Sequence, residues 1–430
     1  LIGDANMVIA QPQRQSDNFE TQLWNPQHPV CILVHNPKNE DIDLPEPHST
    51  PPISEIYGPD VSENDLARLT LAPGLQKTRI ILVGDNITML VTYVDGPNEG
   101  FNDANLGALR RNAFEFGMTI WAANLQGPAE ISISAEMTPL GGDVTEAVLA
   151  SAAPAAFYRN FTTAPFANTF YPESLVEIIS GSDPDTDRLD INVEFNSDVD
   201  NNVVLGNRDW YYGLDAMPGN DIDFVTVTIH ELCHGLGFIS SFNNGGSFGG
   251  GSGDPWIFDR FLVNSSGSLL ISIPVSPGNV INDNVFWNGL RGRFVYQNEF
   301  ETIENVPMYA PAPYEAGSSI GHLDEVTFGG DWDLMSPGYS APNHRPDNIV
   351  LGILQDIGYS LPKSRYVDIN ASGFEDGSSA YPFNDLAEGW DAVPDNGALR
   401  ILPGSYPGKY TFDKPVQIHS SGGTAVLGAQ

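Results

Sequence analysis

Where the apolar residues fall along the chain predicts most of its elements. Leu189-Asp-Ile-Asn-Val-Glu-Phe195 and Ala129-Glu-Ile-Ser-Ile-Ser-Ala135 alternate between apolar and polar, the period-two pattern of strands with one face covered. Ile87-Thr-Met-Leu-Val-Thr-Tyr-Val94 and Val30-Cys-Ile-Leu-Val-His35 have the β-branched composition of buried strands. Leu106, Leu109, Phe114, Ile120 and Trp121 predict an amphipathic helix from about Asn105 to Leu125, with Asn102-Asp103 placed to cap it. Phe224, Val225, Val227 and Ile229 supply the buried face of a second helix. Asp347 to Gly358 reads as a third, with Ile349, Val350, Ile353, Leu354 and Ile357 inward and Gly358 as its stop. Strands and helices mixed in this order indicate an α+β fold.

Elsewhere the pattern breaks down. Residues 1–80 are rich in Pro and Asn, and Pro45-Glu-Pro-His-Ser-Thr-Pro-Pro52 cannot be helical and reads as an extended linker. This segment is a pro-region or a small β module, and His35 and His48 within it have no partners at metal-binding spacing. Asn243 to Gly253 is glycine-rich, and a mobile loop over a cleft is expected there. Trp256–Val263 and Leu269–Ile273 look like strands of an insertion. Residues 363–430 form a small all-β module resembling the first coil of a parallel β-helix. One coil cannot bury its own face, so it is expected to dock on the preceding domain or a surface partner, or to continue into further coils.

Composition narrows the function classes. The 430 residues carry 19 basic and 55 acidic side chains, a net charge of −36, which disfavours nucleic acid and anionic membrane as partners. No run of eighteen apolar residues is present, so no membrane insertion is expected. The acidity fits a secreted or cell-surface protein, and the start at Leu1 is read as a product whose targeting segment has gone. Asp183, Asp185 and Asp187, and Asp198 with Asp200, are candidate Ca2+ ligands, although neither run matches an EF-hand loop and a solvated acidic loop is the competing reading. Two cysteines, Cys31 and Cys233, are too few for a disulfide framework. Cys233 reads as a small buried hydrophobe; Cys31 raises the question of a thiolate latch, against the plainer reading of a buried strand residue.

The strongest chemical signal is His230-Glu231-Leu-Cys-His234, an H-E-x-x-H on the second helix. Residues four apart share a helix face, so His230 and His234 can present two imidazoles to one Zn2+, and Glu231 can act as general base toward a water there. A catalytic zinc site normally takes a third protein ligand. In the extended pattern H-E-x-x-H-x-x-G-x-x-H that position falls on Ser240, a poor ligand, so the third must lie elsewhere. His322, in Gly-Ser-Ser-Ile-Gly-His322-Leu-Asp-Glu, is the best candidate, with Asp-Leu-Met335-Ser-Pro337 thirteen residues on.

Motif, Gly237, a long insertion, a distant histidine and Leu-Met-Ser-Pro together resemble the leishmanolysin-type branch of the metzincin zinc metalloproteases. Trp210-Tyr-Tyr-Gly-Leu-Asp215 and Asn348 to Tyr359 look like segments of its secreted bacterial relatives. The resemblance covers roughly residues 85–362 and implies His230, His234 and His322 as zinc ligands, Glu231 as catalytic base and Met335 as the Met-turn residue. It also implies a twisted sheet, an active-site helix and a C-terminal helical subdomain. The catalytic domain is then residues 81–362, with a β-rich insertion at 239–320. The strand at Leu189–Phe195 is assigned to a sheet edge that pairs with an extended peptide, an interior strand being the alternative. Tyr339 is a candidate transition-state donor, with a core tyrosine as its alternative. The expected function is secreted zinc endopeptidase action on a protein or peptide substrate. The alternative is a non-catalytic adhesive or structural protein on the same fold.

Overall fold

Seven strands form the sheet on which the molecule is built. Along the chain the strands are β1 (Glu20–Leu23), β2 (Val30–His35), β3 (Ala67–Thr70), β4 (Gln76–Ile81), β5 (Thr88–Tyr93), β6 (Glu130–Thr138), β7 (Glu146–Pro154), β8 (Ala156–Arg159), β9 (Tyr171–Pro172) and β10 (Ile191–Asn196). The large sheet has the order β2-β7-β10-β6-β5-β4-β3, and β1-β8-β9 make a second. β5, β6 and β10 run parallel, while β7, β2, β4 and β3 are antiparallel to their neighbours. The computed structural model describes residues 20–23, 30–35, 67–70, 76–81, 87–328 and 333–429, except 374, 376, 378–380, 395–396, 415 and 421–423. His48 lies outside them. Strands from the segment before residue 81 thus join the main sheet, with Cys31 opposite Ser151 of β7.

Helix α1 (Gly107–Asn124) is the crossover between β5 and β6, and Asp103 accepts the Asn105 and Leu106 N–H groups at its start. Leu109, expected on its buried face, is 38% exposed. Arg110 turns inward instead, its guanidinium 2.8 Å from Asp200 and its Nε 3.0 Å from the Tyr212 hydroxyl. A count of apolar periodicity passes over a buried cation that is paired. β10 is also not at an edge: it pairs with β6 on one side and β7 on the other. Its polar alternation reflects a half-covered face, and pairing partners lie too far away in sequence to be read from the strand itself.

Helices α2 (Glu173–Ser180) and α3 (Phe224–Gly235) follow, and α3 carries the H-E-x-x-H motif. The indole of Trp121 on α1 donates to the Ile229 carbonyl at 2.8 Å. Phe224 anchors the start of α3 among Phe195, Trp210, Tyr212 and Phe101. Gly117 lets α1 approach: a Cβ there would lie 2.6 Å from Thr228 Cγ2.

The insertion after Gly237 is less regular than its sequence suggests. Its strands are the short pairs Leu262–Val263, Phe286–Trp287 and Val306–Pro307, set among 3-10 turns and one helix, α4 (Leu290–Glu299). The apolar residues of Trp256–Val263 serve side-chain packing instead, Trp256 stacking on Phe157 at 3.9 Å and Phe258 and Phe261 meeting Trp287. The glycine-rich run is tied down at Asn243, whose Oδ1 accepts from Gly245 and Ser247. α5 (Asn348–Ile357) lies where the sequence puts it, capped by Asp347, whose Oδ1 accepts the Val350 N–H at 2.8 Å. It packs on α4, with Asp356 accepting from the Trp287 indole.

The C-terminal module has its own core of Val367, Phe383, Leu386, Trp390, Leu399, Ile401 and Tyr406. Ser364–Val367, Ala398–Ile401 and Gln417–Ser420 pair in parallel, as do Gly404–Pro407 and Ala425–Ala429. It touches the larger body through Tyr381 on Phe116 and Phe383 beneath Arg345. No helix among the described residues is long and apolar enough to cross a membrane.

The α1–α3 contact yields a stability test. Gly117→Val forces a branched side chain against fully buried Thr228, and a loss of about 1–3 kcal/mol is expected in urea unfolding, as for overpacked cores.

Candidate metal centre

Helix α3 begins at Asp223, whose Oδ1 accepts from the Thr226 N–H at 2.7 Å and the Thr226 hydroxyl at 2.8 Å. The same oxygen meets His344 Nε2 at 2.8 Å in a pair that is buried on both sides. Two turns further on, His230, Glu231 and His234 are all fully buried, as is His322 from the far end of the insertion. His230 and His234 Nε2 stand 3.0 Å apart, and His322 Nε2 is 3.2 Å from each.

Each ring is fixed by its other nitrogen. Nδ1 lies 2.6 Å from the Leu334 carbonyl in His230, 2.8 Å from the Phe238 carbonyl in His234 and 2.8 Å from the Ser318 carbonyl in His322. A carbonyl only accepts, so Nδ1 carries the hydrogen in all three and the Nε2 lone pairs face one point. Burial pushes the imidazoles down, His230 to about 4 and His322 to about 3, and His234 well below its usual value with repulsion from the other two added. All three are neutral near pH 7, the form that binds a metal. Three nitrogens about 2.0–2.1 Å from a tetrahedral ion would lie roughly 3.3–3.4 Å apart. The observed spacing is close to that, so the donor set fits a zinc-sized ion with one position left over. Among the described residues this is the group of His, Cys, Asp or Glu whose ligand atoms all fall within 4.8 Å.

Three segments build this arrangement around the helix. Gly237, at φ 108°, turns the chain out of α3 so that the Phe238 carbonyl comes back to His234. Ser240, where the extended motif has its third histidine, donates to Asp259 at 2.7 Å. Asp259 also accepts from the N–H groups of Ser241 and Trp256 and from the Ser241 hydroxyl, which ties the insertion to the exit of the helix. Burial lifts its carboxyl to about 6 despite these hydrogen bonds. Asp333 to Met335 forms the third support. Its Leu334 carbonyl meets His230, and its Met335 carbonyl accepts the Leu323 N–H at 2.9 Å, one residue past His322.

The structure therefore brings His230, His234 and His322 together, with Glu231 on the same helix and Met335 fully buried one residue past the Leu334 carbonyl that meets His230. Tyr339 is placed elsewhere. Its hydroxyl accepts the Asp223 N–H at 3.0 Å, about 10 Å along the helix from His230 at 1.5 Å per residue, so it braces the helix start and is not a donor at the histidines. Cys233 is buried, with its thiol pushed well up by burial, and acts as core. Sequence reasoning missed Asp223 as a cap, although an aspartate directly before an apolar helix is a readable signal. It missed His344 and Asp259, for which no local signal exists.

The cap is open to test. Asp223→Ala removes the acceptor for Thr226 and the carboxylate that His344 meets, and urea unfolding is expected to show a loss of about 1–2 kcal/mol.

Comparison with known proteins adds one match and two blanks. No curated protein and no solved structure matches the chain. A family model described as SPBPB7E8-like matches residues 134–248, a stretch that holds His230, Glu231 and His234 and ends before His322.

Proposed function

We propose that this chain is a secreted zinc endopeptidase that hydrolyses peptide bonds in protein or peptide substrates. The observation that carries the reading is the meeting of three neutral Nε2 atoms within 3.2 Å, with Glu231 on the same helix. A zinc ion held by His230, His234 and His322 would supply Lewis acidity, lowering the pKa of a water and polarising the scissile carbonyl. Glu231 takes a proton from the attacking water and passes it to the nitrogen of the breaking amide bond. The carbonyls of Phe238, Ser318 and Leu334 hold the imidazoles in one tautomer throughout the cycle. The net charge of −36 supports an extracellular setting and a substrate other than nucleic acid.

The deciding experiment pairs metal content with hydrolysis of an unstructured protein such as casein. Glu231→Gln is expected to keep zinc while kcat falls by about 10²–10⁴-fold, and His322→Ala to lose both. Full zinc affinity in His322→Ala would move the third ligand elsewhere. A wild type that binds no zinc would overturn the reading.

Acidity provides a second check. A free histidine gives up a metal as it protonates near its ordinary pKa of about 6.5. The depressed values of about 4 for His230 and about 3 for His322 mean that protons compete only in more acid solution. Zinc should survive dialysis at pH 5.5 and be released between roughly pH 4 and pH 3, read by atomic absorption.

A further inference from the structure

The carbonyl that orients His230 belongs to the peptide unit between Leu334 and Met335, and the N–H of that unit is itself engaged. It donates to Asp333 Oδ1 at 2.8 Å. The N–H one residue earlier, that of Leu334, meets Asp347 Oδ2 in a longer contact of 3.4 Å. Asp347 uses its other oxygen to cap α5 through the Val350 N–H at 2.8 Å. Two carboxyl groups thus take both donors of the turn, and its two carbonyls serve the metal centre. The Leu334 carbonyl meets His230 Nδ1 at 2.6 Å, and the Met335 carbonyl accepts the Leu323 N–H at 2.9 Å, next to His322. Two of the three rings, 92 residues apart in the chain, are referred to this one turn.

An aspartate that accepts the N–H two residues on is a common turn-former, and one that accepts at a helix start is a common cap. Two observations go further than that plain reading. Asp333 Oδ2 is buried with no hydrogen-bond partner, a cost that a turn residue facing water does not carry. The His230 contact is also the shortest of the three, 2.6 Å against 2.8 Å for His234 and for His322. The peptide that serves His322 donates, through the Ser319 N–H, to the backbone carbonyl of Glu315. The peptide that serves His230 donates to a carboxyl oxygen instead. Hydrogen bonds in a chain polarise one another, so the stronger acceptor on the N–H side makes the Leu334 carbonyl a stronger acceptor in turn. Burial, then the neighbouring Asp347, lifts the Asp333 carboxyl well above the usual carboxylate range. A carboxyl oxygen accepts in either protonation state, so the hold on Met335 does not depend on the charge.

We propose that Asp333 and Asp347 are positioning residues of the metal centre. Asp333, acting through the Leu334–Met335 peptide, aims and strengthens the carbonyl that holds His230. Asp347 ties the same turn to the start of α5, so that the closing helix and the His230 ring keep a fixed relation. The proposal rests on the reading of His230, His234 and His322 as zinc ligands, and neither acid is a ligand itself. Partners one shell out from a metal's ligands are worth roughly 10–100-fold in metal affinity, which sets the size of the effect to look for.

The test measures the zinc affinity of the full chain by competition with a chromophoric chelator, alongside Tm. The visible absorption of the cobalt-substituted protein reports ligand geometry. Asp333→Ala is expected to bind zinc about 10–100-fold more weakly and to shift the cobalt bands. Asp333→Asn keeps an oxygen acceptor for the Met335 N–H and should restore wild-type affinity. Asp347→Ser keeps the cap of α5, but its one oxygen is used there, so a loss of about tenfold is expected with little change in Tm. Should Asp333→Ala fail to fold, Asp347→Ser decides in its place. Wild-type affinity and an unchanged cobalt spectrum in Asp333→Ala and Asp347→Ser, whatever their Tm, would reduce the two acids to a turn and a cap and overturn the proposal. An Asp333→Asn as weak as Asp333→Ala would do the same, because the acceptor would not be what matters. A wild type that takes up no metal would instead sink the zinc reading, and this proposal with it.

Discussion

Three imidazoles can direct their lone pairs at one buried point only if each Nδ1–H has an acceptor of its own. In this chain the acceptors are backbone carbonyls at Phe238, Ser318 and Leu334, drawn from three separate stretches. That requirement shapes everything downstream of the motif helix. The chain must turn back at Gly237, the insertion must return at Ser318, and the Asp333–Met335 segment must run beneath His230. Carbonyls are suited to the task because they cannot donate, so the tautomer of each ring is fixed by geometry with no titratable partner.

The helix that presents two of the three rings is held from every side by polar groups at its ends and apolar ones along its length. Asp223, His344 and Tyr339 secure its start. Asp259 gathers four donors where the chain has just left it. Between them the contacts are Trp121, Gly117 and the Phe224 cluster. Buried polar partners at the two ends satisfy the backbone groups that helix termini leave open.

What could be read from the sequence follows from the range of the interactions involved. Helices at α1, α3 and α5 and strands at β5, β6 and β10 were legible because side-chain periodicity is local. The spacing of His230 and His234 was legible for the same reason, and His322 through the resemblance carried by its own segment and the Leu-Met-Ser-Pro run thirteen residues on. The site of β10 inside the sheet was not, since it depends on β6 and β7, some forty to sixty residues upstream. Arg110 hid the true face of α1, because its buried position is stabilised by Asp200, ninety residues away. The carbonyl acceptors were invisible in principle, as every residue has one. Nothing in the sequence marks Glu173 and Glu177 as buried, which they are.

The outer strands of the large sheet share one origin along the chain. β2 closes one margin and β4 with β3 the other, and all three come from the stretch before residue 82. A single length of chain thus blunts both margins, leaving β7 and β5 flanked on each side. Loss of that stretch would bare two unpaired backbone ladders facing opposite ways. Edge ladders are templates for pairing copy onto copy, and short strands are the weaker templates. The N-terminal strands therefore set margins of six and four residues where margins of nine and six would otherwise stand.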